Sequence, residues 1–109
     1  MARERTLKEL QKEVDRYIQQ FEEGYFAPLE ILAGLTEELG ELSRELQHLY
    51  GTKKKKNKSK EALNEELGDF VFHVICLANS QKIDLQEALQ NTIHKYEQRD
   101  KNRWTRKGE

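Results

Sequence analysis

The sequence contains little cysteine and proline, and these shortages restrict the fold. Cys76 is the single cysteine, so the chain cannot form an internal disulfide. A lone cysteine in an apolar segment is typical of a buried thiol in a reducing compartment. One proline, six glycines and few runs of β-branched residues leave little that interrupts a helix. We therefore predict an all-α protein that forms one small domain over residues 1–109.

Long hydrophobic runs and a net charge are also missing. No stretch approaches the roughly 18 apolar residues of a transmembrane helix, and the charged start of the chain does not resemble the apolar core of a signal peptide. The net charge is -1, with 19 basic and 20 acidic side chains. This balance argues against a general binder of nucleic acid or anionic membranes. We expect a soluble, cytoplasmic protein that has no nucleic-acid partner and no membrane partner.

Apolar residues at helical spacing predict a four-helix antiparallel bundle. The capping box Thr6-x-x-Glu9 begins the first helix, Pro28 begins the second, Ser59 caps the third and Asp84 caps the fourth. The first helix runs from Thr6 to a stop at Gly24, the second from Pro28 to about Tyr50, the third from about Lys60 to Ala78, and the fourth from Asp84 to the start of the tail. A polar tail over residues 100–109 completes the chain.

Two segments of the predicted bundle differ strongly in polarity. Residues 51–60 carry six lysines and no acidic residue, so mutual repulsion predicts a flexible, solvated loop. The third helix is apolar on nearly all sides from Phe70 onward, and such a helix is normally buried on all sides. Four short helices can hardly enclose it, so we expect a homodimer or homotetramer built through a shared helical interface.

Two nearly identical acidic motifs lie on the second and third helices: Glu37-Glu38-Leu39-Gly40-Glu41-Leu42 and Glu65-Glu66-Leu67-Gly68-Asp69-Phe70. Residues three apart share a helix face, so Glu38 projects with Glu41 and Glu66 projects with Asp69. A row of apolar residues, or seam, runs along each helix beside its acidic pair, and packing of the two seams would direct the pairs toward each other. The seams consist of Leu32, Leu35, Leu39, Leu42, Leu46 and Leu49 on the second helix and of Leu63, Leu67, Phe70, Val74 and Leu77 on the third.

The glycines of the two motifs also require an explanation. Gly40 and Gly68 each cost about 1 kcal/mol of helix propensity relative to alanine. We interpret this cost as a sign of close backbone approach between helices.

Four facing carboxylates repel one another unless a cation lies between them. Two unit charges about 4 Å apart repel by about 4 kcal/mol at an effective dielectric constant near 20, and a surface ion pair returns only about 0–1 kcal/mol. An all-oxygen site without cysteine or histidine at ligand spacing favours Mg²⁺, and Mn²⁺ second. A single acidic pair is usually the solvated face of a helix, but its repetition favours a metal site.

These residues resemble the MazG family of all-α nucleoside triphosphate pyrophosphohydrolases. The resemblance is carried by Glu-x-x-Glu, the intervening residues 42–65 and Glu-x-x-Asp, within Glu-Glu-x-Gly-Glu and Glu-Glu-x-Gly-Asp, and it extends over essentially the whole chain. It implies that Glu38, Glu41, Glu66 and Asp69 bind Mg²⁺ and that water attacks the α-phosphorus of a nucleoside triphosphate. Nucleoside monophosphate and pyrophosphate are the implied products, and the implied assembly is at least a dimer.

Two further glutamates precede the metal-facing acids. Hydrolysis of a phosphoanhydride needs neutralised phosphate charge and a positioned, deprotonated water, both of which carboxylate-held Mg²⁺ supplies. Glu37 and Glu65 are candidates for the general base or for an outer contact to the metal site. Each is turned about 100° from its neighbour, so a surface charge or a bond to an adjacent helix is an equally good interpretation.

The fourth helix offers cations for the phosphates. Asn91, Lys95 and Arg99 lie four residues apart and share one face. Cations in a last helical turn also complement the helix dipole without any ligand. The string Lys95-Tyr96-Glu97-Gln98-Arg99 resembles the family's Lys-aromatic-Glu-x-Arg segment, whose cations assist triphosphate binding, so we include all three as substrate-binding candidates.

The polar tail contains the single tryptophan. Trp104 is either a packing anchor or a platform on which a base stacks. The family tends to carry a tryptophan followed by a basic residue near this end, which adds Trp104 and Lys107 to the substrate-binding candidates. Base and sugar preference would depend on pocket side chains, for which Tyr17, Phe21, Tyr25 and Phe26 are candidates.

Other interpretations of the sequence stay open. His73 follows Asp69 by four residues on the same face, and a buried neutral histidine without a ligand role is favoured there. The protein could also be a non-catalytic metal or nucleotide sensor on the same fold, although all four acids are present. A third possibility is a helical interaction module whose loop lysines, Lys53 to Lys56, bind an acidic partner.

Overall fold

Four α-helices account for most of the protein. The computed structural model describes residues 3–52 and 60–108, and the helices are α1 (Leu7–Ile18), α2 (Pro28–Tyr50), α3 (Glu61–Ser80) and α4 (Leu85–Arg99). These two ranges contain no β-strand, which confirms the all-α prediction. Within the same ranges, no helix has the length and apolar character needed to cross a membrane.

The start signals in the sequence operate as predicted for three helices. The Thr6 hydroxyl accepts a hydrogen bond from the Glu9 backbone N–H, and the Glu9 carboxylate accepts one from the Thr6 backbone N–H. Asp84 accepts from the backbone N–H of Glu87 at 3.0 Å, and Pro28 is the first residue of α2. Ser59, the predicted cap of α3, and the lysines of residues 53–58 lie outside the described residues.

The predicted end of the first helix is wrong by six residues. α1 ends at Ile18 instead of continuing to Gly24. The backbone N–H groups of Gln20 and Phe21 bond three residues back, in successive turns. Gly24 then adopts a φ of 61°, which glycine accepts without the strain of a Cβ atom. The turn brings Tyr25 back against α1, where its hydroxyl donates to Asp15 Oδ1 at 2.6 Å.

α2 and α3 form the largest helix interface, α1 packs against α3, and α4 packs mainly against α1. Gly34 of α2 lies beside His73 of α3, and Glu38 lies beside Glu66, so the two helices run antiparallel. The buried apolar residues of the described ranges are Ile31, Ile75, Cys76 and Ala78.

The leucine seam of α2 is divided between two faces. Its residues alternate between a half-buried set at Leu35, Leu42 and Leu49 and an exposed set at Leu32, Leu39 and Leu46. Leu39 is 54% exposed, and on α3 Leu67 and Val71 are each 46% exposed. The other helices of this chain therefore cover only the half of the seam formed by Leu35, Leu42 and Leu49.

A buried glutamine joins three helices. The Gln11 side chain donates from Nε2 to Asn79 Oδ1 at 2.9 Å and to the Ile83 carbonyl at 3.0 Å. Its Oε1 accepts from the Leu85 backbone N–H at 2.8 Å, and Asn79 donates back to the Gln11 carbonyl. Gln11 thereby ties α1 to the end of α3 and to the start of α4, with its polar atoms paired as burial requires.

Candidate metal and nucleotide site

Three of the predicted metal ligands meet between α2 and α3. Glu38, Glu66 and Asp69 each place a carboxylate oxygen within 4.8 Å of the others. The antiparallel register of the two helices produces this grouping, because it sets Glu38 opposite the turn that carries Glu66 and Asp69. Glu38 and Glu66 are half-buried and Asp69 is exposed, so the cluster is open to solvent on one side.

The cluster carries unbalanced negative charge. Partial burial raises the pKa of Glu66 above its ordinary value, and the charges of Glu38, Asp69 and Glu41 raise it further. A carboxyl group surrounded by like charges holds its proton more tightly. The arrangement therefore favours a bound cation, which would relieve the repulsion.

Glu41, the fourth predicted ligand, is not part of the group of three. Its carboxylate pairs with Arg44 at 2.8 Å on the same helix. Its charge still acts on Glu66, so it lies near the cluster. The structure thus brings three of the four predicted metal ligands together and gives the fourth a cationic partner.

The chemistry of the cluster suits a hard divalent cation. Its three donor groups are carboxylates, and this group contains no histidine or cysteine. Carboxylate oxygens are the ligands that Mg²⁺ and Mn²⁺ prefer, and Mg²⁺ commonly binds through a few carboxylates together with water and substrate phosphates. The residues present fit such an ion.

The motif glycines do not serve the packing role that we predicted within this chain. A Cβ atom added at Gly40 or at Gly68 would meet no atom within 4 Å. The close approach occurs instead at Gly34, where a Cβ would lie 3.1 Å from His73 Cδ2. Gly34 stands outside the repeated motif, so the pattern gave no reason to select it.

A cavity of about 680 Å³ is lined by residues of α1, of the turn after it, of α2 and of α3, but by none of the three clustered acids. The four aromatic residues proposed to set base preference, Tyr17, Phe21, Tyr25 and Phe26, all line it, together with Phe72. The ring of Tyr17 lies edge-on to Phe21 and to Phe72, with centroids 5.5 Å and 6.3 Å apart. Cavities of this volume and apolar character are typical of small-molecule sites.

Two polar residues connect the cavity with the cluster. Glu37 lines the cavity and directly precedes Glu38, while His73 lines it one helical turn after Asp69. His73 Nδ1 lies 2.9 Å from the Asp69 backbone carbonyl. His73 was predicted to have no ligand role and Phe72 was not predicted at this site, although the position of both residues one turn after Asp69 was a usable signal. Glu65 is exposed on α3.

The cationic candidates lie on a different part of the molecule. Arg99 makes two contacts of 3.0 Å with Asp100, and its guanidinium lies 4.6 Å from the centroid of the Tyr96 ring. Lys95 also lies over that ring, at 5.2 Å. Asn91 is exposed on the same helix. In the described ranges, the hydrogen bonds and ion pairs of these side chains do not reach the acidic cluster.

The C-terminal candidates are also solvent-exposed. Trp104 is 70% exposed, and Arg103 lies 5.0 Å from its ring centroid. Trp104 and Tyr96 line a shallow depression of about 590 Å³, and Lys107 is exposed nearby in the tail. The substrate-binding roles of these residues stay predictions.

Known proteins share both the sequence pattern and this fold. Residues 26–104 match the model of the MazG nucleotide pyrophosphohydrolase domain. Over 107 residues, the chain is 55% identical to YpjD of Bacillus subtilis strain 168, a protein described as uncharacterized. The aligned region covers 97% of this chain and 96% of YpjD.

Two solved structures support the same relationship. The crystal structure of Bacillus subtilis YpjD superposes with a TM-score of 0.82 at 52% identity, over 87% of this chain and 98% of that one. The crystal structure of the Bacillus-conserved MazG protein, a nucleotide pyrophosphohydrolase, gives a TM-score of 0.78 at 50% identity, over 94% of this chain and 100% of that one. The chain therefore belongs to the MazG nucleotide pyrophosphohydrolase family.

Proposed function

We propose that the protein is a Mg²⁺-dependent pyrophosphohydrolase that converts nucleoside triphosphates to nucleoside monophosphates and pyrophosphate. The observation that carries the proposal is the meeting of Glu38, Glu66 and Asp69 within 4.8 Å, on helices that also line an aromatic cavity. A carboxylate cluster suits the phosphate end of a metal-bound nucleotide, and the cavity suits the apolar face of a base.

The acidic residues would have two different roles, metal binding and acceptance of a proton from water. Glu38, Glu66 and Asp69 would hold Mg²⁺, with Mn²⁺ as a substitute, and Glu41 would join them on leaving Arg44. Such an ion supplies charge neutralisation for phosphate oxygens and acidifies water. Glu37 stands at the rim of the cavity beside Glu38, where it would accept the proton of the attacking water. Attack at the α-phosphorus breaks its bond to the bridging oxygen, and pyrophosphate leaves.

The aromatic cavity would hold the nucleoside. Base stacking on an aromatic side chain contributes about 1–3 kcal/mol, and Tyr17, Phe21 and Phe72 already form an edge-to-face group. Asn91, Lys95 and Arg99 are the proposed phosphate contacts, and Trp104 and Lys107 are further substrate contacts. To bind a phosphate, the Arg99 guanidinium would have to break its contacts with the Asp100 carboxylate.

A homodimer or homotetramer is part of the proposal. The exposed set of α2, Leu32, Leu39 and Leu46, and the α3 residues Leu67 and Val71 are each at least 40% exposed in the single chain. The Cα radius of gyration is 17.6 Å, whereas a compact domain of 100 residues has about 13 Å. A second copy that packs on these residues would complete the apolar core.

The assembly is tested by sedimentation equilibrium of the wild type and of Leu39→Lys. We expect a dimer or tetramer for the wild type and a smaller species for the variant, because a buried lysine without a partner disfavours association. Lys12→Glu, a charge change on the exposed surface of α1, is the control. A monomeric wild type at micromolar concentration would contradict the proposal.

The reaction is tested with a panel of ribo- and deoxyribonucleoside triphosphates, with and without Mg²⁺, and with ion-exchange separation of the products. Wild type and Asp69→Ala are compared. We expect monophosphate and pyrophosphate that require Mg²⁺ and are absent with the variant. Diphosphate and orthophosphate would show attack at another phosphorus, and no turnover of any triphosphate would contradict the enzyme assignment.

A further inference from the structure

The polar side chains around the aromatic cavity mostly accept hydrogen bonds. Glu23, Glu30 and Glu37 place carboxylates in its wall. The hydroxyl of Tyr25 already donates its proton to Asp15 Oδ1 at 2.6 Å. Among the described residues that line this cavity, there is no lysine, arginine, asparagine, glutamine, serine or threonine. The tyrosine hydroxyl of Tyr17 is the strongest side-chain donor left.

His73 adds a further acceptor. Its Nδ1 lies 2.9 Å from the Asp69 backbone carbonyl oxygen, and a carbonyl can only accept, so Nδ1 carries the hydrogen. In the neutral ring the lone pair then belongs to Nε2. The hydrogen bond to the main chain of α3 fixes the orientation of the ring as well as its tautomer.

Gly34 lies beside this acceptor. A Cβ atom at Gly34 would lie 3.4 Å from His73 Nε2 and 3.1 Å from Cδ2, and both residues line the cavity. Because glycine has no side chain, it adds no atom against this edge of the ring, in a cavity wall to which both residues belong.

We propose that this cavity selects nucleobases that present an exocyclic amino group, cytosine and adenine, over those that present a carbonyl at the same place, uracil and guanine. The inference rests on the proposed function for the identity of the ligand as a nucleotide. An amino group would donate to His73 Nε2 and to the carboxylate of Glu37, which lines the same cavity. A carbonyl oxygen at that place would leave these acceptors unpaired and would be repelled by the carboxylate.

The first test compares kcat/KM for CTP, ATP, UTP and GTP with Mg²⁺. We expect the wild type to prefer CTP over UTP and ATP over GTP by roughly tenfold or more, as a hydrogen bond between an amino group and a fixed acceptor would give. His73→Leu should reduce both preferences to near unity, mainly by lowering kcat/KM for CTP and ATP. His73→Gln offers an amide oxygen near the position of Nε2 and should retain most of the preference.

Two controls keep the comparison specific. His94→Leu removes an exposed histidine on α4 that does not line the cavity, and it should leave the four kcat/KM values unchanged. Circular dichroism of each variant checks that the helices are intact. An equal decrease in kcat/KM for all four substrates in a folded His73→Leu protein would overturn the inference.

A binding measurement separates the base preference from the reaction. Isothermal titration calorimetry with the α,β-methylene analogues of CTP and UTP, in Mg²⁺, requires no hydrolysis. Tighter binding of the CTP analogue that is lost in His73→Leu supports the inference even if no triphosphate is hydrolysed, a result that would contradict the proposed function alone. Hydrolysis with UTP and GTP preferred, or equal binding of the two analogues, overturns the inference and leaves the proposed function standing.

Discussion

The two acidic motifs have nearly the same sequence but different surroundings. The motif on α3 supplies two carboxylates to the cluster, Glu66 and Asp69, whereas the motif on α2 supplies Glu38 alone. The residue three places beyond each motif's last acid accounts for the difference. Arg44 pairs with Glu41 at 2.8 Å, while the apolar Phe72 follows Asp69. A repeated motif therefore does not give a symmetric site, because the residues of the next helical turn offer the acidic side chains different partners.

The strongest way to test this asymmetry is to neutralise the acids one at a time. Glu66→Gln or Asp69→Asn should lower kcat/KM by more than about 100-fold, because each removes a carboxylate from the group of three. Glu41→Gln should cost about tenfold, since Arg44 already engages this side chain. Steady-state kinetics at saturating Mg²⁺ measures all three. A loss for Glu41→Gln as large as for Asp69→Asn would remove the distinction between the two motifs.

The glycines test whether the two motifs become equivalent in an assembly. Gly40→Ala and Gly68→Ala meet open space in the single chain, so each should stabilise an isolated chain by about 1 kcal/mol. If a second copy packs on that side, the added methyl groups should weaken association instead. Urea unfolding and sedimentation equilibrium measure the two effects. Gly34→Ala is the matched comparison, because its methyl group would press on His73 at 3.1 Å, and it should destabilise the chain itself.

The charge imbalance at Glu66 should appear in the pH dependence of stability. Its pKa is raised in the folded chain, so the folded state binds this proton more tightly than the unfolded state does. This tighter proton binding stabilises the folded state at acidic pH, and the stabilisation is lost as the pH rises through the raised pKa of Glu66. With metal removed by chelation, Glu66→Gln should therefore raise Tm by a few degrees at neutral pH.

The same variant should differ less from the wild type as the pH is lowered, because protonated Glu66 is also neutral. Glu65→Gln, the neighbouring exposed acid on α3, should show a much smaller change in Tm at neutral pH. Differential scanning fluorimetry between pH 4 and pH 8 in EDTA measures both variants. A Glu66→Gln protein with a lower Tm than the wild type at neutral pH would mean that repulsion in the cluster is not significant.

The smallest expected effect concerns Arg44. Arg44→Ala frees Glu41 from an exposed ion pair that contributes about 0–1 kcal/mol, so Mg²⁺ should bind no more than about fivefold tighter. Calorimetric titration with Mg²⁺ measures the change, and Arg16→Ala on α1 is the control. Weaker Mg²⁺ binding in Arg44→Ala would show that the pair orients Glu41 for the ion instead of withholding it.

The order of the helices, their start signals and three of the acids that meet could be predicted from sequence, because each follows from local spacing. Thr6 and Asp84 cap their helices through bonds to residues three positions ahead. The position of Glu41 could not be predicted, because it depends on a competing partner. The early end of α1 could not be predicted either, since the tertiary contact from Tyr25 to Asp15 accompanies the turn.

The sequence predicted candidate aromatic residues for the cavity, but it did not predict the cavity itself. Tyr17, Phe21, Tyr25 and Phe26 were selected for their chemistry, but their meeting with Phe72 and His73 depends on how α1 docks on α3. The close approach at Gly34 likewise arises from helix packing, which periodicity alone does not specify. Conversely, the glycines of the motifs meet no neighbouring atom, so a recognisable pattern does not always mark a contact within the chain.

The bonds of Gln11 have a consequence for synthesis of the chain on the ribosome. Its side-chain partners Asn79, Ile83 and Leu85 lie 68, 72 and 74 residues later in the sequence. At about 5–20 residues per second, Gln11 is made roughly 3–14 s before the first of these partners. During that interval the apolar face of α1 has no complete site on which to dock. The first helix to be translated is thus fixed in place only when the end of α3 and the start of α4 have also been made.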